Sequence, residues 1–580
     1  MSKVANGERI AGLIRQDGPA VGLDWWGCGE MAGELRVTEV DGVPVYWVPG
    51  EGRMRASLWF RGGFADDTLP THGWRHLLEH LALHDRDTIR VPINGRVTML
   101  HTTFDAEGEP EDIVTFLRDL CGWLNAPDFG ELEHERRVLR AESARRGAGP
   151  VELHMLWRYG AQGPGLVAYS EYGLQTAEPD RLRALAAEVF ARGNAVLALT
   201  GHPPAGLRLP LPDGSRSPAR VAVPCDQRLP LGFGGPPGSV AVSGVLQRST
   251  VGPALGRALR RGLEDGFRHG AGVGYSGWHS YELVDAENAM LTAGIDMLPE
   301  ARPTVVAQTL DVLRDLRQRG PDPTELRDDV DQEIRRIKAE PAEHWMPYVA
   351  AREVLLGRPV LERDELIAEA EEITVGEVRR AADALWDSVL LSVDPDATTD
   401  PRLNWITRPP GSRSTPTGRR FRAAGWPVVK GELTVGRSGA HLETGSAEAS
   451  ASYDDLAALI AYPDGGRQLV RRDGYQLQIE PARWRNGQQA VAAVDDAVSP
   501  TLKVPMPARD PEDIPRSAVT RRHLATYLLK KPAFWVALIC VAVVVIGLAS
   551  GIPAQRIAQP GAVAVLLVGV IVAVYNLRRG

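Results

Sequence analysis

The strongest constraint on this chain lies near its C-terminal end. From Pro532 to Gln555 no residue carries a formal charge over 24 positions, and Ile557 to Leu577 adds 21 more beyond the single Arg556. About 20 apolar residues in a helix cross a hydrocarbon core of roughly 30 Å. The runs VALICVAVVVIGLA and AVAVLLVGVIVAV are apolar on every side, with no polar face to show water. A two-helix transmembrane hairpin over 532–577 is therefore expected rather than a hairpin buried in a soluble core. Arg521, Arg522, Lys530 and Lys531 precede it and Arg578 and Arg579 follow it, while only Arg556 lies between the spans. The positive-inside rule then puts both ends in the cytosol. Met1 to Asp24 lacks the apolar stretch of a secretory signal, which agrees with a multi-pass cell-membrane protein whose remaining domains are cytoplasmic.

The rest of the chain is too long for one hydrophobic core. Apolar residues make up 44% and charged residues 24%, the composition of ordinary globular domains. A net charge of −8, without a Lys/Arg run interleaved with aromatics, argues against a nucleic-acid partner. Cys28, Cys121, Cys225 and Cys540 are scattered, the last inside an apolar run, so neither a disulfide framework nor a cysteine zinc site is indicated.

Local patterns divide the chain. RVTEVDGVPVYWV, from Arg36 to Val48, reads as a hairpin around Asp41-Gly42. Met54 to Phe60 has strand character, and Thr71 stands where it can cap a helix running through His84. After a β-like stretch from Asn94 to Phe104, Ile113, Phe116, Leu117, Leu120 and Leu124 mark an amphipathic helix. Helices are also expected over Phe129 to Arg146 and Asp180 to Arg192, with a buried strand at Asn194 to Thr200. A second unit follows the same order of elements, consistent with a weak internal repeat. Asp464-Gly465, Asp473-Gly474 and Asn486-Gly487 read as turns between short apolar runs of a smaller module. The expected division is an N-terminal segment 1–30, α/β domains 31–204 and 205–398, a linker 399–424, a small β-rich module 425–508, a basic linker 509–531 and the hairpin 532–577. The fold class is α+β, with two tandem α/β sandwich domains ahead of the module and the hairpin.

The chemistry concentrates in GWRHLLEHL, where His76, Glu79 and His80 form H-x-x-E-H. Positions i and i+4 share one helix face, so both imidazoles can reach one ion with Glu79 beside them. His72 and His84 extend the stripe, but each lies eight residues from the more distant of the two central histidines, about 12 Å along a helix at about 1.5 Å per residue. A third ligand must come from elsewhere. Downstream, Glu135 and Glu142 stand seven apart on one face of a helix crowded by Arg136, Arg137, Arg140, Arg145 and Arg146. Taken alone, that pattern reads first as a solvated charged face.

The runs RASLWFRGGFADD, HGWRHLLEHLAL and PDFGELEHERRVLRAE, taken in order, resemble the insulinase and pitrilysin family of zinc metallopeptidases, the inverzincins or peptidase family M16, in a half-size form with a C-terminal membrane anchor. The resemblance covers about Leu35 to Asp394. It implies one zinc ion (Zn2+) per chain held by His76, His80 and Glu142, with Glu79 as the catalytic base and Glu135 as a supporting carboxylate of the catalytic set. The family's Asn-Ala pair on a peptide-holding edge strand corresponds here to Asn94-Gly95, after a shorter connection from the motif helix. Arg268 and Tyr275, seven apart in RHGAGVGYS, resemble the arginine and tyrosine that contact the substrate carbonyl; a helix-end arginine and a packed tyrosine are the alternative.

These features together lead to the expectation of a zinc-dependent endopeptidase acting on peptides or small unfolded proteins at the cytoplasmic membrane face. The alternative is a catalytically silent, membrane-tethered subunit of the same fold that binds peptides or a partner. In the resembled family two halves close around a chamber, and this chain has room for one, so a homodimer is expected first and a heterodimer with a related subunit second.

Overall fold

The computed structural model describes residues 34–515, apart from 51, 87–90, 144–146, 148, 271, 407–415, 426–428 and 446, together with 528–531, 534, 535 and 538. The expected membrane hairpin over 532–577 thus lies almost wholly outside the described residues. Among those described, no helix is long and apolar enough to cross a membrane.

The first half is built on strands β1 (Arg36–Val40), β2 (Val43–Val48), β3 (Met54–Arg61), β4 (Ile93–Val97), β5 (His101–Gly108) and β6 (Ala195–Thr200), in the order β1-β2-β6-β3-β5-β4. The β1–β2 turn is set by Asp41 and Gly42, both at positive φ (50° and 84°), the requirement of a two-residue turn that follows strand twist. One face of the sheet is covered by α1 (Trp74–Leu83), α2 (Pro110–Asn125), α3 (Leu132–Ser143) and, after α4 (Pro150–Tyr159), by α5 (Pro179–Val189). The stripe Ile113, Phe116, Leu117, Leu120 and Leu124 of α2 is buried there with Leu77, Leu78 and Leu81 of α1.

The second half uses β7 (Leu231–Gly234), β8 (Ser239–Gln247), β9 (Gly274–Leu283), β10 (Asn288–Met297), β11 (Leu390–Val393) and β12 (Asn404–Trp405), in the order β12-β7-β11-β8-β10-β9. From the second position onward the two orders match strand for strand. The pair β2–β6 is parallel and so is β7–β11; β3 runs antiparallel to β6 and β8 to β11. The internal repeat, too faint in sequence, is plain in topology, and it makes β4 and β9 corresponding edge strands. Helices α6 (Val251–Glu264), α7 (Val305–Arg319), α8 (Pro323–Ala339), α9 (Met346–Leu355), α10 (Arg363–Glu371) and α11 (Val375–Trp386) follow.

The halves exchange helices. Leu153 and Trp157 of α4, from the first half, pack on Leu231, Phe233 and Leu390 of the second sheet. Ala351 and Leu355 of α9, from the second half, pack on Val196 and Ala198 of β6. The central strands of each sheet are thereby buried on both faces, which is why β6 reads as the unbroken apolar run AVLALT.

Beyond the halves lie β13 (Gly418–Arg422), β14 (Glu432–Gly436), β15 (Gly439–Thr444) and β16 (Ala447–Ser452) in one sheet, and β17 (Leu456–Ala461), β18 (Arg467–Arg471), β19 (Gln476–Ile479) and β20 (Lys503–Pro505) in another, ordered β19-β18-β17-β20. Helix α12 (Gly487–Ala497) buries Ala490, Val491 and Val494 in the core of this module.

Three local expectations are corrected. Thr71 does not cap the motif helix: it closes a short turn, Leu69–Thr71, and α1 begins after Gly73. Asn486-Gly487 is not a turn between strands but the left-handed start of α12. The segment 399–424, expected as a linker, carries β12, which pairs with β7, and β13, which belongs to the module. In each case a turn-forming composition was read without the tertiary partner that puts it to use.

Candidate metal centre

Helix α1 places His76 and His80 one turn apart with their rings 4.8 Å between centroids and nearly perpendicular, at 86°. It starts at Gly73, whose φ of 99° is left-handed, and a Cβ there would lie 2.6 Å from Glu171 Cβ. A side chain at Gly73 would therefore be strained by its own backbone and would displace Glu171.

Glu171 was not foreseen from the sequence, and it is central to the geometry. Its Oε1 lies 2.8 Å from His76 Nδ1, while Glu135 Oε2 lies 2.9 Å from His80 Nδ1. A carboxylate only accepts, so each Nδ1–H donates and each Nε2 keeps its lone pair. Both Nε2 atoms face Glu79, at 3.8 Å and 3.9 Å from Oε2. The site has a near mirror symmetry: two imidazoles, each held from behind by a buried carboxylate, flank a third carboxylate.

His84 also donates to Glu135, at 2.6 Å, and that hydrogen bond raises the His84 pKa. Burial pushes Glu135 up, but the hydrogen bonds from His80 and His84 outweigh it and hold the carboxyl below its ordinary value. His72 faces the other way, with Nδ1 3.7 Å from Asp67. Neither outer histidine joins the central pair.

Glu79 is buried, at 5% exposure. Burial pushes its carboxyl up to about 7; His76 opposes the shift, while the charges of Glu142, Glu135 and Glu171 add to it. The edge strand β4 runs directly over it. A Cβ at Gly95 would lie 1.8 Å from Glu79 Oε1 and 2.5 Å from Cδ, so the backbone approaches the carboxylate more closely than any side-chain-bearing residue permits in this arrangement. Asn94, its neighbour, is exposed and sits opposite Asp105 in the β4–β5 register.

Among the described residues, the group placed to hold a metal ion is His76, Glu79 and His80, whose ligand atoms lie within 4.8 Å of one another. Two imidazole nitrogens with free lone pairs beside a carboxylate fit a zinc ion in donor type and in the tautomer their carboxylate partners impose. Glu142 lies exposed on α3, outside that group, though its charge reaches Glu79. Tyr275, on β9, is 58% exposed, and Arg268 lies in the π-helical turn Asp265–Gly270 that precedes it.

No family model and no curated protein matches this sequence. Solved structures do match in fold. A protease from Helicobacter pylori aligns with a TM-score of 0.53 at 11% identity, over 62% of this chain and 99% of that one. Pitrilysin aligns at 0.51 and 16% identity, over 63% of this chain but only 45% of its own. A peptidase M16 inactive domain from Pseudomonas fluorescens aligns at 0.50 and 15% identity, over 62% and 97%. The likeness is one of architecture, shared by proteases and by an inactive domain: this chain carries the fold of M16 peptidase-like domains, in an extent that matches about half of pitrilysin.

Proposed function

We propose that this chain is a zinc-dependent endopeptidase of the inverted-motif kind, cleaving peptides or small unfolded proteins at the cytoplasmic face of a membrane to which its C-terminal hairpin anchors it. The observation that carries the proposal is the paired arrangement of Glu171 on His76 Nδ1 and Glu135 on His80 Nδ1, which turns both Nε2 lone pairs toward Glu79. His76 and His80 would hold the zinc, with Glu142 of α3 as the third ligand. When bound, zinc acidifies water and polarises a peptide carbonyl.

The chain's own residues supply the remaining steps. Glu79 accepts a proton from the attacking water on a carboxyl oxygen and passes it to the leaving amine as the C–N bond breaks. Its carboxylate lies beside both imidazole Nε2 atoms, where it can reach a water placed between them and both accept and return a proton. The β4 edge, with Asn94 and Gly95, offers unpaired main-chain groups to an extended peptide lying across Glu79. Arg268 and Tyr275 lie at and just before β9, the strand that corresponds to β4 in the second half. The proposal assigns them to stabilising the oxyanion in a facing subunit, through a homodimer first and a heterodimer with a related subunit second.

A second reading, a silent peptide-binding subunit, is favoured by one observation: Glu142 lies exposed and outside the three-residue group. Metal content and peptide cleavage separate the two. An active enzyme purifies with about one zinc per chain, and Glu79→Gln keeps the metal while losing turnover. A parent chain without stoichiometric zinc supports the silent subunit. A Glu79→Gln chain that keeps its metal and cleaves at the parental rate removes Glu79 from the mechanism.

A further inference from the structure

The second sheet of the C-terminal module is apolar on both faces. In β17, Leu459 enters the module's own core, while its neighbours Ala458 and Ile460 enter a separate buried cluster with Val470 and Val504. The other side of that cluster comes from the first half, from Leu69, Ala161 and Leu166. Tyr169 and Tyr172 pack against the same cluster, and Glu171 lies between them in sequence.

The junction is fixed at several points. Strand β17 touches the Leu69–Thr71 turn, and β20 touches the Tyr172–Gln175 turn. The Ala161 N–H donates to Arg472 O at 2.8 Å. On its inner side the Glu171 turn is tied to the start of α1: Gly173 N–H donates to His72 O at 2.9 Å, and Trp74 Nε1–H donates to Gly173 O at 2.7 Å. On its outer side the flanking tyrosines rest on the module. His80, by contrast, takes its orientation from Glu135 on α3, well inside the first half.

We infer that the module formed by β13–β20 is a positioning element for one side of the site: through Tyr169 and Tyr172 it keeps the Glu171 carboxylate on His76 Nδ1, and so fixes the tautomer and ring direction of His76 alone. A ring carboxylate partner that drifts no longer selects Nδ1–H, and the Nε2 lone pair is then only part-time available. The consequence for zinc rests on the proposed function; the effect on the imidazole does not.

The experiment uses the full-length chain without added metal, with imidazole 15N shifts of His76 and His80 as the readout. The parent shows the Nδ1–H tautomer at both. In Tyr172→Ala, and independently in Ile460→Ala on the module side, His76 becomes a tautomer mixture while His80 keeps the parental signal, which also certifies that the site is folded. Tyr172→Phe, which keeps the ring, restores the parental His76 signal. Zinc affinity, measured by chelator competition, falls about tenfold in the two alanine variants. A His76 signal unchanged in both alanine variants overturns the inference, even in a protein that binds zinc. A His76 signal that changes as described in a protein that binds no zinc supports the inference and overturns the proposed function.

Discussion

His154 joins the two halves, and its burial makes a quantitative prediction about acid. It projects from α4 into the second half, where Nδ1 lies 2.7 Å from Ser243 Oγ and Nε2 lies 2.8 Å from Ser392 Oγ. It is fully buried, and burial, with the charge of Arg158 adding to it, lowers its pKa to about 3. An exposed histidine in the unfolded chain titrates near 6.5. Because the folded value is the lower one, the stability tied to neutral His154 is complete above about 6.5 and is lost as the pH falls toward about 3. Between pH 7 and pH 5 the unfolded chain takes up about 0.7 proton at this position and the native chain takes up almost none, a loss of roughly 2 kcal/mol. Replacing His154 by Gln keeps a polar side chain facing the serines and removes the titration. Native-state hydrogen exchange at the α4 amides, corrected for intrinsic rates, gives the opening free energy of this junction at both pH values. His101, which burial also lowers to about 3, is present in both proteins and cancels in the comparison. The parent should lose about 2 kcal/mol more than His154→Gln over this interval. Equal losses would refute the assignment of a buried neutral imidazole at the junction.

Two further predictions address the site itself. Glu135→Ala and Glu171→Ala each remove one carboxylate from behind an imidazole, so each should weaken zinc binding by about 10- to 100-fold, read by chelator competition; unchanged affinity in both would detach these carboxylates from the site. Gly95→Ala puts a Cβ 1.8 Å from Glu79 Oε1. The carboxylate must swing aside, so turnover of a reporter peptide should fall by about 100-fold with metal content intact, and parental turnover would show that Glu79 does not work from this position.

How much of this was written in the sequence depends on the range of the interaction. His76 and His80 were legible because four residues in a helix fix their shared face without help from the rest of the chain. The β1–β2 hairpin was legible because Asp41 and Gly42 tolerate the positive φ that the turn demands. The α2 stripe was legible because burial on one side leaves a period of three to four. Glu171 was not: it lies 95 residues from His76, between two short turns with no periodicity to flag it. The exchange of α4 and α9 between the sheets was equally invisible, since an amphipathic helix records that it has an apolar face and not which sheet receives it. The apolar pattern of β17, with Leu459 on one side and Ala458 and Ile460 on the other, did record two buried faces, but only the folded chain identifies the second as the wall behind Glu171. Local periodicity and backbone preference act within a few residues and were fixed by the sequence alone; the partners across 95 residues or between modules depend on which surfaces meet, and the tertiary structure decided those.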